Sequence, residues 1–265
     1  MEIAVLLKPV PDPAQYDKIQ IDPATGILVR EGLKTVINPE DKHALEAALQ
    51  LKEQYGGRVA LIGMAPASAV ETFREGLAMG AEEAFLCSDR AFAGADSLAT
   101  SRVLAAAVKK AGPFDLVLSG SMSADGGTAH VPSQVGELLG FAHLTHVIQF
   151  EIGSDGLASV RTKMENGYRE SRGRLPLVLG IRRELNTPRY ISLMGIMAAQ
   201  GKPVHVWSLD DLGLDKGKVG LAGSPTQPGK LYQPDMKRKG EVLQGEAWEV
   251  AQRLVGIFRS TGILG

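Results

Sequence analysis

Apolar positions in the first two-thirds of the chain follow two alternating periods. Short, largely apolar runs at 3–7, 59–62, 84–87 and 115–118 have the length of buried strands. Between them lie stretches of helical period. Asn38-Pro39-Glu40-Asp41 carries helix-start signals: a side-chain acceptor, a proline suited to the first position and acids for the positive end. Ala44, Leu45, Ala48, Leu49 and Leu51 then share one face, and Gly56-Gly57 stops the helix. Val70, Phe73 and Leu77 form the next apolar face, closed by Gly80. Asp96-Ser97 opens a third helix with Leu98, Val103, Leu104 and Val108, and a fourth runs over about 131–139. Residues 18–21 and 27–30 flank the turn-rich 22–26, which predicts a small hairpin excursion. Strands alternating with helices predict an α/β protein: a doubly wound, mostly parallel, Rossmann-like sheet with helices on both faces.

The pattern changes after residue 140. Residues 147–152, 159–163 and 177–181 read as strands with no helices between them, the middle one alternating as a sheet edge does. From Gly201 the chain is rich in Gly and Pro and has no core period until Glu246. Long structureless stretches are uncommon inside a compact domain. The expectation is a nucleotide-binding α/β domain over 1–200. An extended C-terminal arm and helix over 201–265 would lie on a partner, with Ala247, Ala251, Leu254, Val255 and Phe258 on the helix's docking face.

Composition narrows the function. Among 265 residues, 29 Lys plus Arg oppose 30 Asp plus Glu, a net charge of −1, which argues against a nucleic-acid binder or a polybasic membrane-surface protein. No apolar run is long enough to span a bilayer. With one cysteine, Cys87, and no secretory signal, the expected compartment is reducing and cytoplasmic, and Cys87 reads as a small buried hydrophobe. His143 and His146 lack acidic or thiolate neighbours in sequence and read as a loop-to-strand junction, not a metal site.

Neither a G-x-x-x-x-G-K-[ST] loop nor a G-x-G-x-x-G after the first strand occurs, so the usual kinase, GTPase and dinucleotide-dehydrogenase readings are weak. A glycine-rich loop over 119–128 follows the fourth strand instead. In a doubly wound sheet ligands bind beyond the carboxyl ends of strands, at the switch point. Glycines permit close backbone approach there, and the helix start after Thr128 suits phosphate. Residues 6–9, 38–41, 64–66 and 95–100 converge on the same edge. The spacing thus points to a nucleotide, against the alternative of a merely tight loop.

Ordered motifs make the resemblance specific. They are Lys8-Pro-Val-Pro-Asp12, Val36-Ile-Asn-Pro-Glu-Asp41, Glu71-Thr-Phe-Arg-Glu-Gly-Leu-Ala-Met-Gly-Ala81, Asp125-Gly-Gly-Thr-Ala129 and Leu185-Asn-Thr-Pro-Arg-Tyr190 with Ser192-Leu-Met-Gly-Ile-Met197. Along its whole length the chain resembles the beta (small) subunit of electron-transfer flavoproteins. The resemblance implies a heterodimer with an FAD-carrying alpha subunit, and either AMP or a second FAD in the beta subunit. In electron-bifurcating members NADH reduces that second FAD. One electron then goes to ferredoxin or flavodoxin and the other to a dehydrogenase or quinone pathway. Conventional members hold structural AMP and shuttle electrons from acyl-CoA dehydrogenases.

Asp125-Gly-Gly-Thr-Ala-His-Val131, Ala95-Asp-Ser-Leu-Ala-Thr100 and Gly220-Leu-Ala-Gly-Ser-Pro-Thr226 resemble the bifurcating type. Gly127, His130, Pro9 and Ser97 depart from it, standing where that type has an acid, Gln, Gln and Thr. The resemblance implies that Asp125, Gly126, Thr128, Ala129, Val131 and Ser133 hold phosphates and ribose. Asn38, Asp41 and Met64 would line the adenine or ribose side, and Asp96, Ser97 and Thr100 would grip FAD. Leu6, Lys8, Ser123, Gly127, His130 and Gln134 complete the expected cofactor set. The segment 185–197 resembles a dehydrogenase-recognition loop, with Leu193 as its apolar anchor beside Met194, Ile196 and Met197. A non-redox adenine-nucleotide module remains the alternative from another class.

Overall fold

A computed structural model describes residues 1–18, 20–21, 28–29, 34–227, 229 and 240–264. The chain divides into two units, Met1–Lys230 and Leu231–Gly265. In chain order the first begins with β1 (Glu2–Leu6), β2 (Pro9–Pro11), β3 (Gln20–Ile21), β4 (Leu28–Val29) and β5 (Thr35–Ile37). Next come α1 (Pro39–Tyr55), β6 (Arg58–Met64), α2 (Val70–Met79), β7 (Glu83–Cys87), α3 (Ser97–Ala111), β8 (Leu116–Gly120) and α4 (Val131–Leu139). The strands β9 (Ala142–Ile152), β10 (Leu157–Met164), β11 (Gly167–Arg174) and β12 (Leu177–Ile181) precede α5 (Leu193–Gln200) and β13 (Val204–Trp207). The second unit holds α6 (Ala247–Ser260).

Nine strands form one sheet in the order β11-β10-β9-β12-β8-β1-β6-β7-β13. From β12 to β13 the pairing is parallel throughout, as β9 is with β12, whereas β9, β10 and β11 pair antiparallel. The central strand β1 is apolar on both faces because both faces are covered. Ile3 and Val5 belong to a core with Leu45 and Leu49 of α1 and Phe73 and Leu77 of α2. Ala4 and Leu6 belong to the opposite core, with Val103, Leu104 and Val108 of α3 and Val135 of α4. The path leaves β1 toward β6 and β7, then returns through α3 to β8 on the other side of β1. That reversal places a switch point at the carboxyl ends of β1 and β8.

The strands and helices of the first two-thirds match the periodicity, and the predicted hairpin is seen as the β3–β4 pair. Its turn at 22–26 lies outside the described residues. Three expectations change. β10 is not the sheet edge, because β11 pairs along its full length. β11, Gly-Tyr-Arg-Glu-Ser-Arg-Gly-Arg, is polar and mostly exposed, so no apolar signal marks it. The segment 185–197, expected as a loop, runs into a helix, α5. Finally, the stretch from 201 is not arm throughout. β13 completes the sheet edge against β7, and the division between units falls after Lys230.

α6 carries its apolar residues on the outside. Trp248, Leu254, Val255 and Ile257 are exposed, and Arg253 holds Glu241 at 2.9 Å within the same unit. No helix among the described residues is long and apolar enough to cross a membrane.

Candidate functional site

A cleft of about 1360 Å³ opens at the carboxyl ends of β8, β1, β6 and β7. Its walls include Leu6, Lys8, Asn38, Asp41, Met64, Asp96, Ser97 and Thr100 from four separate strand ends. Ser123, Asp125, Gly126, Thr128, Ala129, His130 and Val131 line it from the loop after β8. Gly127 is exposed but not in the lining, and neither Ser133 nor Gln134 lines the cleft. Gln134 Oε1 instead accepts from Ser101 Oγ at 3.0 Å, tying α4 to α3.

The cleft floor is built around Asp41. Its carboxylate accepts from the Lys8 and Gly120 backbone N–H groups, both at 2.8 Å, and from Asn38 Nδ2 at 3.0 Å. One side chain thus joins the end of β1, the start of α1 and the end of β8. Gly120 is required there, since a Cβ would stand 2.6 Å from Asp41 Oδ1. Asn38 does not cap α1 with its side chain, as its sequence position suggests. Its Nδ2 also donates to Met122 O and its Oδ1 accepts from Ala124 N, both at 3.0 Å, so it hooks the loop after β8. Beside it, Glu40 accepts from Met122 N at 2.9 Å and pairs with Arg182 at 3.1 Å. Asn38, Glu40 and Asp41 therefore shape the loop; both Asp41 oxygens are taken by the protein.

Burial pushes the Asp41 carboxyl up from 3.8 to about 6, against its three donors and the Lys8 charge. A carboxyl raised on folding lowers stability when ionised, so its contribution improves as pH falls from about 6 toward 3.8. The difference in unfolding free energy between wild type and Asp41→Asn is therefore expected to shift in favour of wild type by about 1 kcal/mol from pH 7 to pH 5. Urea melts at both pH values read this shift, and a pH-independent difference would contradict the buried ionisation.

Above the floor the Lys8 ammonium lies 2.6 Å from Asp125 Oδ1 and 3.3 Å from Ser123 Oγ. Burial acts to raise Asp125, but Lys8, Ser123 and the Gly126 N–H outweigh it and hold the carboxyl below its ordinary value. The chain then turns into α4 through Ala129, whose φ of 56° is left-handed and rare for a residue with a Cβ. No side chain caps α4, and because Pro132 has no N–H, Val131 is the residue of its first turn that brings an N–H to the cleft lining, with the positive helix end behind it. An ammonium, a glycine loop and an open helix start are a donor set suited to phosphate.

The far wall is formed at the start of α3. Asp96 Oδ1 accepts from Ala99 N at 2.9 Å and its Oδ2 from Thr226 N at 3.0 Å. Both oxygens are therefore engaged within the protein, and Ser97, Thr100 and Thr226 present the wall. Thr226 was not among the expected site residues, nor was Cys87, which lines the cleft at the end of β7. Cys87 is fully buried and burial pushes its thiol to about 12, so it is inert packing. Among the described residues no group of three His, Cys, Asp or Glu side chains could hold a metal. His146 occupies a bulge in β9 with φ 58° and donates its N–H to Ser121 Oγ.

A second surface lies on α5 and the residues before it. Leu193, Met194, Ile196 and Met197 are all exposed, Leu193 to 72 %, and Tyr190 is 99 % exposed. Arg189 clamps this segment to α1: its Nε lies 2.8 Å from Glu46 Oε2 and its Nη2 3.0 Å from Glu46 Oε1. Asn186 Nδ2 adds a bond to His43 O at 2.9 Å.

These features define a doubly wound α/β protein with a phosphate-suited cleft at its switch point and an apolar patch held outside it. Residues 25–212 match the family described as electron transfer flavoprotein domain. The chain is 44 % identical over 255 residues, 96 % of both chains, to an electron transfer flavoprotein subunit beta of Clostridium acetobutylicum. It is 44 % identical over 266 residues, the full length of both, to the caffeyl-CoA reductase-Etf complex subunit CarD of Acetobacterium woodii. Identity is 36 % over 262 residues to the acryloyl-CoA reductase electron transfer subunit gamma of Anaerotignum propionicum, covering 96 % of this chain and 97 % of that one. The chain belongs to the electron-transfer flavoprotein family, as a beta subunit. Membership implies an alpha subunit as partner.

Proposed function

We propose that this beta subunit binds FAD in the cleft, takes a hydride from NADH and, with its alpha subunit, supports flavin-based electron bifurcation. One electron would go to ferredoxin or flavodoxin and the other to a dehydrogenase or quinone pathway. The observation that carries the reading is the reach of the cleft. It runs from the α4 start beyond β8 to the α3 start beyond β7, three strand spacings or about 14 Å apart. Its volume also exceeds the roughly 300–1,000 Å³ typical of small-molecule sites. That length favours a dinucleotide with contacts at both ends over AMP, which needs only one.

Bound there, a flavin supplies hydride acceptance and single-electron release; the protein supplies placement and electrostatics. Lys8, Gly126, Thr128 and the Val131 N–H at the start of α4 would hold the pyrophosphate. Ser97 and Thr100 would hold the far end. Asn38 and Asp41 keep the loop after β8 in position without themselves binding. Leu193, Met194, Ile196 and Met197 suit an apolar pocket on a partner dehydrogenase, an acyl-CoA or other flavin enzyme. The names CarD and acryloyl-CoA reductase subunit gamma place relatives of this chain in CoA-thioester reductase systems.

Cofactor stoichiometry of the co-expressed alpha–beta heterodimer tests the reading. Acid release and chromatography are expected to return two FAD and no AMP per heterodimer. One FAD with one AMP would make the chain a conventional shuttle subunit. A heterodimer without flavin would favour a non-redox nucleotide module.

A further inference from the structure

After β13 the chain folds back over residues 215–227 onto the start of α3. Ser224 Oγ accepts from Asp96 N at 2.8 Å and donates to Gly220 O at 2.7 Å. Thr226 N donates to the same Asp96 carboxylate. Arg102 Nη1 donates to Lys218 O at 3.1 Å and Gly223 O at 3.0 Å, and Leu221 N reaches Ala93 O at 2.9 Å. Gly220, at φ +56°, lies so close to Ala91 O that no Cβ fits. Two loop segments, 91–97 and 218–226, are thereby fastened into one strap along the far wall of the cleft. Thr226 ends this strap, and the second unit begins at Leu231.

We infer that the Asp96–Ser224–Thr226 clasp couples ligand binding in the cleft to closure of the strap along its far wall. This rests on the cleft being the nucleotide site. Asp96 is a positioning residue here, because its oxygens serve Ala99 and Thr226 while Ser97, Thr100 and Thr226 face the ligand. Burial acts to raise Asp96, and the Ala99 and Thr226 N–H groups outweigh it, holding the carboxyl below its ordinary value. A ligand that touches Ser97 and Thr226 binds only when both are in place, so it stabilises the closed strap. By linkage the closed strap must raise ligand affinity by the same factor.

Lys218, exposed within the strap, and Lys216, exposed two residues before it, give a direct readout with trypsin, since cutting at either requires this segment to open locally. The heterodimer, stripped of dissociable nucleotide, would be digested with and without FAD, and cuts at these two lysines followed by mass spectrometry. FAD is expected to slow them about tenfold. Ser224→Ala, whose side chain is outside the cleft lining, is expected to speed cutting of the stripped protein about fivefold and weaken FAD by a similar factor. Arg102→Met provides a second variant should Ser224→Ala fold poorly. Flavin fluorescence separates the outcomes. If FAD binds without slowing the cuts, the coupling is overturned and the cofactor reading stands; if only AMP binds, and does so without slowing them, both are overturned. If neither binds, both fall together.

Discussion

Gly120→Ala is expected to empty the cleft of nucleotide and to lower unfolding free energy by about 1–3 kcal/mol. The added methyl would stand 2.6 Å from Asp41 Oδ1 and 2.7 Å from Glu40 Cβ. Neither neighbour can give easily. Asp41 is fixed by bonds to the Lys8 and Gly120 N–H groups, and Glu40 by Met122 N and Arg182. Relief requires the α1 start to move away from the β8 end. That motion breaks the Asp41 bonds and unhooks Asn38 from Met122 and Ala124. The loop that carries Asp125 and Thr128 then loses its floor, so cofactor content falls further than stability alone predicts. Flavin and nucleotide content after gel filtration, with a thermal melt, checks both parts. A variant with wild-type melting and full cofactor content would mean that the α1–β8 contact has slack the geometry denies.

The fold was legible where burial leaves a periodic trace. β1, β6, β7 and β8 are buried on both faces and read as apolar runs, and α1 to α4 each bury one stripe. β11 left no trace because an edge strand has one neighbour, and polar side chains suit its free side. β13 was hidden for a related reason: it is four residues long at the other edge, with His205 and Val206 exposed. α5 was missed because Leu193, Met194, Ile196 and Met197 cover its surface with apolar residues, which masks any single face. The site was legible as a set of strand ends, since topology carries those residues to one edge. Their division of labour was not. Asn38 and Asp41 have the types of ligand contacts, yet their polar atoms are consumed in shaping the loop. Thr226 lies 130 residues from Asp96, a pairing no local pattern announces.

Arg189→Ala is expected to release the apolar patch from its mount. Glu46 is nearly buried and faces a planar fork, with Arg189 Nε at 2.8 Å, Nη2 at 3.0 Å and the Arg189 backbone N–H at 3.0 Å. Burial acts to raise the Glu46 carboxyl, and Arg189 outweighs it, holding the group below its ordinary value. Removing the guanidinium leaves Glu46 with Gln50 alone among its side-chain donors. Losing one partner of a fully buried pair costs about 3–5 kcal/mol, and the partial exposure of Arg189 brings the expectation to about 2 kcal/mol. For a chain of this size that is a fall of about 4–8 °C in melting temperature. Arg189→Lys should recover only part, since an ammonium cannot reproduce the two-pronged contact. The consequence lies downstream of the clamp. Tyr190 and Leu193 are displayed to solvent, which is unfavourable unless a partner covers them, so their presentation must be enforced by something outside the patch. Arg189 and Asn186 do this from one side. Arg74 Nη1 on Ala199 O and Lys202 Nζ on Leu77 O and Ala81 O do it from the other. With the first anchor gone, hydrogen exchange over 185–195 should accelerate while 198–202 stays protected. Electron delivery to a partner dehydrogenase should slow with flavin content unchanged. Equal exchange in mutant and wild type would show that the second anchor alone holds the patch, and that the Arg189 fork serves α1 instead.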